Sequence, residues 1–439
     1  MRRYARLVGA VACLCLLPFP AAAQGTPISE ILVQLIQADI RLATPPPGTP
    51  FASHDAHFIP GEQEQLVPYL FNQSILSQLT TFPLGSSSGG FSYSLDPALG
   101  TWTRSTNSFG PAFAERALTI GSRKVNFGFN YQHSTYDTFE GKSLDDGSIK
   151  FYLTHKPVVE GGIFFEGDVI QTALRLNLST NTVALFGNYG VTNKLDVGIA
   201  VPIVSVDMDA NIDATVMRLA TGAASTLHQF PNGTDKETFS DAGSAKGIGD
   251  IVLRGKYRFF ESKTQGWAAG VDLRLPTGDE TNLLGTGATQ TTLLLIASSN
   301  YDKFAPHLNI GYTFTGESVS PFFNLSNEFH YTFGTEFVGT PKLTVTADLI
   351  GRSLRDAGRL QEQPRTFHFV SAPPASVPGS TTVDELAFQE GSLNLLIGAA
   401  GVKYNIAGNL LISANVLFPL TKTGIRDSVT PVIGLDYAF

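Results

Sequence analysis

The sequence predicts an all-β protein that forms a closed antiparallel transmembrane β-barrel of about twelve strands. From about residue 117 to the C-terminus, apolar and polar residues alternate strand after strand, and 43% of all residues are hydrophobic. Beyond the N-terminal leader, no stretch approaches the roughly 18 consecutive apolar residues that a membrane helix needs. A barrel accounts for both observations, because its lipid-facing and lumen-facing side chains alternate along every strand.

Residues 1–23 are predicted to be a cleaved secretory signal peptide. Three arginines lie within the first six residues, a short apolar run covers residues 7–19, and Ala21–Ala23 precede Gln24, which is the order of a signal peptide and its cleavage site. Both cysteines lie inside this segment, so the mature chain can form neither a disulfide nor a cysteine metal site. Its 27 remaining basic residues against 38 acidic ones argue against a nucleic-acid partner.

Residues 24–116 are predicted to form a separate N-terminal segment. Residues 28–41 are amphipathic at helical spacing, prolines follow at 45–47, and residues 50–116 show no strong periodicity. The segment either plugs the lumen or lies in the periplasm. Its aromatic residues need a dry environment, so we expect them to line a mainly apolar pocket or path in a plugged lumen; they are Phe82, Phe91, Tyr93, Phe109 and Phe113.

Residues 117–439 are predicted to be the barrel domain. Val125, Phe127, Phe129 and Tyr131 share one apolar face, and later runs repeat this pattern. The connections alternate in length. Short ones are expected near 191–194, 261–265, 300–303, 335–341 and 405–408, and long ones near 134–170, 208–246, 277–289, 315–322, 353–391 and 420–428. Short periplasmic turns and long external loops are typical of outer-membrane barrels.

The strand count depends on residues 171–190. One long strand there gives twelve strands, whereas a turn at Ser179–Asn181 gives thirteen. Bacterial single-chain barrels have even numbers of strands, which favours twelve, with both ends of the barrel domain on the periplasmic side.

Charged residues recur on the polar faces of these strands. An arginine or lysine facing lipid at the midplane costs about 2–4 kcal/mol, so these side chains are predicted to line the lumen. They are Asp196, Arg254, Lys256, Arg258, Asp272, Arg274, Glu328, His330, Asp348 and Asp436. They form either a charged constriction that selects solutes or a salt-bridged interior, and Arg254, Lys256 and Arg274 are expected to bound the apolar path.

The chain ends in a strand that resembles the insertion signal of outer-membrane barrels. Ile433, Leu435, Tyr437 and Phe439 share its apolar face, and Phe439 is the last residue. We expect this strand to pair with the first strand near 119–133, and its partners to be outer-membrane lipids and the barrel assembly machinery.

No catalytic residue, metal ligand or cofactor is predicted. Gly247-x-Gly249 and Gly285-x-Gly287 lack the strand–glycine loop–helix context of nucleotide-binding loops. Ser326 and His330 would share a strand face about 13 Å apart at roughly 3.3 Å per residue, which is too far for a nucleophile–base pair.

Two glycine-containing motifs indicate a family. Gly247-Ile248-Gly249-Asp250 leads into the strand IVLRGKYRF, and Leu284-Gly285-Thr286-Gly287 follows the strand GVDLRLPTGDE. Over about residues 180–335 the chain resembles outer-membrane proteins grouped under a MetA pathway of phenol degradation. It is more loosely similar to long-chain fatty-acid transporters, whose lumen is plugged by an N-terminal domain.

The resemblance implies a non-enzymatic channel or transporter in the outer membrane of a Gram-negative bacterium, for small hydrophobic or aromatic compounds. Two alternatives stay open. An outer-membrane lipid hydrolase of the deacylase or esterase type would need Ser or Thr, His and an acid or Asn together at one rim. A structural barrel would have a completely filled lumen.

Overall fold

The structure is a computed structural model that describes most of the chain. The described residues are 26–44, 58–59, 62–79, 90–96, 101–155, 166–223, 225–318, 325–355, 357, 359–389 and 391–439. The predicted signal peptide and Phe82 lie outside them.

Twelve long strands form one closed antiparallel barrel, as predicted. They are β1 (Val125–Tyr136), β2 (Val169–Gly190), β3 (Leu195–Met217), β4 (Val252–Glu261), β5 (Gln265–Arg274), β6 (Gln290–Ser299), β7 (Phe304–Thr315), β8 (Glu328–Thr340), β9 (Leu343–Leu354), β10 (Leu393–Ala407), β11 (Leu410–Pro419) and β12 (Thr430–Ala438). Each pairs with the next, and β12 closes the ring on β1, with Ile433 opposite Tyr131. Closure leaves no unpaired edge within the bilayer.

The outer surface carries a belt of exposed apolar side chains. It includes Phe127, Phe129, Tyr131, Leu253, Tyr257, Leu293, Leu295, Phe333, Val345, Val416 and Ile433, each at least 38% exposed. A closed barrel with an apolar outer belt is the architecture of outer-membrane proteins. Separately, no helix among the described residues is long and apolar enough to cross a membrane.

The connections alternate between short and long as expected. However, β8 continues to Thr340 through most of the turn expected at 335–341, and several long connections contain further strands. Residues 169–190 form one strand rather than two, and β2 and β3 stay paired from Val169 opposite Met217 down to Gly190. Strand Lys236–Ile248 pairs with residues 203–215 of β3, and strand Arg359–Val370 pairs with strand Pro378–Gln389. The expected loops at 208–246 and 353–391 are therefore largely hairpin.

This extension of β2 and β3 beyond the barrel packs against two N-terminal helices. α1 spans Ile28–Gln34 and continues as a π-helical turn, Leu35–Asp39, and α2 spans Glu62–Leu79. Ile31, Leu32 and Phe71 share one apolar core with Leu174 and Ile212 of the extension. Burial of this inner face explains why the strands run past the bilayer, and it places both helices at the long-loop end.

The later part of the N-terminal segment lies at the opposite end of the barrel. Tyr93–Asp96 and Thr101–Arg104 form a small hairpin, and the Tyr93 hydroxyl donates a hydrogen bond to Asn409 in a short turn (3.2 Å). The described parts of the segment therefore start at the long-loop end and finish at the short-turn end, which is periplasmic in outer-membrane barrels.

Candidate functional site

Residues 105–120, called the luminal segment below, lie inside the barrel and are held by side chains of the wall. On one side, Asp348 of β9 accepts hydrogen bonds from the backbone N–H groups of Ala112 and Phe113, both at 3.1 Å. Lys403 of β10 donates to the carbonyl of Pro111 at 2.6 Å. An irregular segment leaves backbone groups unpaired, and inward polar side chains supply their partners here.

The opposite wall holds the segment in the same way. Asn309 of β7 accepts from the Glu115 N–H (2.7 Å) and donates to its carbonyl (3.0 Å). Lys256 of β4 donates to the Arg116 carbonyl at 3.2 Å. Asp196 of β3 accepts from the Ile120 N–H at 3.0 Å. Three predicted lumen-lining charges, Asp196, Lys256 and Asp348, thus hydrogen-bond to the backbone of the segment.

The Glu115 side chain adds an ion-pair network. Its carboxylate lies 3.6 Å from both Arg254 and Lys256, and Arg254 forms a forked pair with Asp272, with a shortest distance of 2.9 Å. These groups are largely buried, so each charge depends on its partner: breaking such a pair by removing one member typically costs about 3–5 kcal/mol.

Two cavities flank the luminal segment. The luminal cavity, of about 150 Å³, lies between the segment and strands β4 to β9, and Phe113, Glu115 and the predicted Arg274 and His330 line it. The mouth cavity, of about 480 Å³, opens among the short turns. Glu115 faces the first cavity, whereas Arg116 and Ala117 line the second. The segment therefore separates a small inner compartment from the short-turn end.

The remaining predicted charges occupy three settings. Glu328 lines the luminal cavity in a forked pair with Arg352 (2.6 Å and 2.7 Å). Arg258 lies at the short-turn rim, where it pairs with Glu261 at 2.8 Å. Asp436 is buried on the inner face of β12. These residues therefore do not form one ring of charge.

The aromatic residues are distributed differently from the expectation of a single apolar path. Phe91 and Phe109 are fully buried in a cluster with Leu411 at the short-turn end, and Arg104 stacks on both rings. Tyr93 packs beside this cluster. Phe113 belongs to another cluster, against β9 to β12. Because tight packing fills the space around Phe91 and Phe109, the cavities lie elsewhere and have linings that are both polar and apolar.

Three side chains in the mouth cavity form a hydrogen-bonded row across neighbouring strands. Ser298 Oγ of β6 lies 2.9 Å from His307 Nδ1 of β7, and His307 Nε2 lies 2.9 Å from Glu336 Oε1 of β8. This order of hydroxyl, imidazole and carboxylate is that of a nucleophile, a base and an orienting acid. Ser298 Oγ also accepts a hydrogen bond from the Ala117 N–H at 2.9 Å.

Several of these residues were missed by sequence reasoning although the strand pattern contained them. Extending the β9 alternation by two residues beyond Ile350 would have found Arg352. Lys403 lies between the outward Val402 and Tyr404. Glu115 and Arg116 left no such signal, because the luminal segment has no period.

The two glycine-containing motifs meet in the structure. The buried Asp250 carboxylate accepts hydrogen bonds from the Gly278 N–H (3.0 Å) and from the N–H and hydroxyl of Thr286 (2.8 Å and 2.7 Å). A Cβ on Gly285 would lie 2.5 Å from Asp250 Oδ1, so a glycine is required there. The motifs therefore fold the loop at 277–289 onto the barrel wall.

That loop in turn holds the first helix. The Thr281 carbonyl accepts a hydrogen bond from the Ser29 N–H of α1 at 3.0 Å. Partial burial raises the pKa of Asp279, but hydrogen bonds from Asn282 and Thr281 outweigh it and hold that pKa below its usual value. Asp279 is therefore ionised at neutral pH and fixes the turn that contacts α1.

A comparison with protein families gives one match. Residues 164–351 match the family described as "Putative MetA-pathway of phenol degradation", which agrees with the resemblance stated above. The matched part runs from just before β2 to three residues before the end of β9 and includes both motifs. No curated protein matches the chain in sequence.

The solved structures that match this chain include outer-membrane channels and transporters. The COG4313 outer membrane channel from Pseudomonas putida F1 is 12% identical (TM-score 0.46) and covers 74% of this chain and 98% of its own. A FadL homologue from Pseudomonas aeruginosa is 10% identical (TM-score 0.32), and the match covers 80% of this chain and 96% of the homologue. The toluene transporter TbuX from Ralstonia pickettii is 14% identical (TM-score 0.30), and the match covers 83% of this chain and 100% of the transporter.

Proposed function

We propose that the chain is an outer-membrane channel for small hydrophobic, and in particular aromatic, compounds, and that the luminal segment is its gate. The observation behind the gate is the separation of two cavities by Glu115–Ala117. The solute class is supported by the family match to a phenol-degradation pathway. Small solute partners and a non-enzymatic role follow from this proposal.

The contacts of the luminal segment suit a gate better than a permanent filling. Its contacts with the wall are hydrogen bonds that involve side chains, ion pairs and the packing of Phe113 against β9 to β12, and none is a strand pairing of the barrel wall. The segment can therefore move without opening the barrel. Each hydrogen bond to a charged group contributes only about 1.5–3 kcal/mol. The two cavities also argue against a structural barrel, which would have a filled lumen.

A disulfide staple tests the gate. A Cβ built on Gly266 of β5 lies 3.3 Å from the Ala117 Cβ, close to the roughly 3.5–4.5 Å typical of disulfides. The mature chain is predicted to lack cysteines, so Ala117→Cys with Gly266→Cys introduces one defined pair. A disulfide stabilises the closed state by roughly 2–4 kcal/mol, so we expect channel openings in planar bilayers to fall at least about ten-fold under oxidation.

Reducing agent should restore the openings, and each single-cysteine variant should behave like the wild type. Unchanged openings in the fully oxidised double variant would show that the conducting path avoids the luminal segment, which would contradict the gate.

Ester hydrolysis is the second candidate function, and the row Ser298–His307–Glu336 is the observation that favours it. We expect a fluorophosphonate probe to leave Ser298 unlabelled, because its Oγ accepts a hydrogen bond from the Ala117 N–H, which makes the oxygen a poorer nucleophile. Mass spectrometry of the treated protein would detect the adduct. Labelling abolished by Ser298→Ala and retained by Ser299→Ala, the adjacent control, would establish a reactive serine and support the hydrolase.

A further inference from the structure

We infer that the luminal cavity binds one small neutral aromatic molecule that carries a hydrogen-bonding substituent, in preference to a hydrocarbon or a carboxylate. This inference rests on the proposed channel function and narrows its solute class. It follows from the size of the cavity, the chemistry of its wall and the balance of its charges.

Size limits the solute to about one ring. The cavity measures about 150 Å³, and an engineered cavity of about 150 Å³ in another protein holds a benzene molecule. An extended acyl chain is longer than this compartment and would have to project out of it. The volume therefore suits a monocyclic solute better than a fatty acid.

The wall offers an apolar and a polar surface to such a ring. Phe113, Val252, Leu294 and Ile350 supply apolar contacts. The rest of the lining is polar and includes Gln290, Thr292, Thr313 and Thr332. Thr292 and Thr313 hydrogen-bond to each other, and Gln290 donates to Thr315, so these groups turn only their remaining hydrogen-bonding capacity to the cavity. A pure hydrocarbon would displace water from that capacity without replacing its hydrogen bonds, which is unfavourable.

The charges of the described lining balance. Three guanidinium groups, Arg254, Arg274 and Arg352, stand against three carboxylates, Glu115, Asp272 and Glu328. The forks of Arg254 and Arg352 are already paired with Asp272 and Glu328. A bound carboxylate would bring one excess negative charge into a largely buried site, and an uncompensated buried charge is unfavourable. Neutral solutes avoid this cost.

Binding of three ring-sized probes to the purified full-length protein in detergent tests the inference. We expect isothermal titration calorimetry to give benzyl alcohol a dissociation constant about ten-fold or more below those of toluene and benzoate, since each 1.4 kcal/mol is a factor of about ten. Equal affinity for benzoate would overturn the neutral preference. Equal affinity for toluene would overturn the need for a polar substituent.

Two matched variants locate the site and separate binding from partition into detergent. Thr332→Phe on the inner face of β8 should fill the cavity and abolish the saturable heat of binding in the calorimetric titration. Thr335→Phe, on the outer face of the same strand, should bind like the wild type. If both variants bind equally, the probes bind elsewhere and the inference is wrong, while the disulfide test of the gate is unaffected.

A charge variant tests the balance itself. Asp272→Asn removes one negative charge from the lining and should shift the preference towards benzoate. Heat-modifiability on a gel shows whether each variant is folded. A folded Asp272→Asn protein whose preference is unchanged would contradict the electrostatic part of the inference.

Discussion

Deletion of residues 27–119 is expected to convert the protein into a permanently open pore. The hydrogen bonds of the barrel wall join the twelve strands to one another and involve none of the deleted residues, so the barrel should still assemble. Eight-stranded barrels are filled by their own side chains and 16-stranded ones hold an aqueous channel. A cleared twelve-stranded barrel lies between them, and we expect single-channel conductance to rise on the order of ten-fold.

A shorter deletion identifies which part of the segment closes the lumen. Deletion of residues 27–89 removes α1 and α2 but keeps the luminal segment with its contacts to Asp348, Asn309 and Lys403. We expect that variant to stay mostly closed in planar bilayers. If it conducts as well as the longer deletion, the helices at the long-loop end block the lumen, and the luminal segment is not the gate.

The barrel could be predicted from the sequence because lipid imposes a two-residue period on every strand. Leu253 and Tyr257 point outward, and Arg254 and Lys256 point inward, because a charge in lipid is costly. The strand number needed a second rule, because the pattern left twelve and thirteen strands open and the even strand number of bacterial single-chain barrels favoured twelve. Alternation decides on which face of the barrel wall a side chain lies, and it therefore predicted several residues that line the lumen.

The gate could not be predicted, because its partners share no local pattern. Asn309 and Glu115 are 194 positions apart and meet only because the barrel closes. Phe91 and Phe109 lack a strand period because they pack inside the short-turn end, and a periplasmic segment would show the same irregularity. Similarly, the extension of β2 and β3 beyond the barrel depends on burial against Ile31 and Phe71, and the alternation along β3 does not reveal these contacts.

Replacing the terminal phenylalanine should reduce the yield of folded protein in cells by more than the cost of a charge at that depth of the membrane explains. Phe439 exchanges two backbone hydrogen bonds with Val125 of β1, at 2.9 Å and 3.0 Å, and its ring packs near Phe127 and Tyr437. It lies at the short-turn rim, where a charge facing lipid costs only about 0–1 kcal/mol. Phe439→Asp keeps the backbone bonds, so its thermodynamic effect should be small.

We nevertheless expect Phe439→Asp to lose most of the folded protein in cells, because the terminal strand is expected to be the segment that the barrel assembly machinery binds. Ile433→Lys, near the middle of β12, places a charge where the cost reaches about 2–4 kcal/mol. Refolding into lipid vesicles should therefore rank Ile433→Lys as the worse variant, and heat-modifiable protein from cells should rank Phe439→Asp as the worse one. Val429→Asp, in an exposed loop, serves as the control and should fold normally in both assays. The same ranking in cells and vesicles would mean that insertion depends on membrane energetics alone and that Phe439 is not a recognition signal.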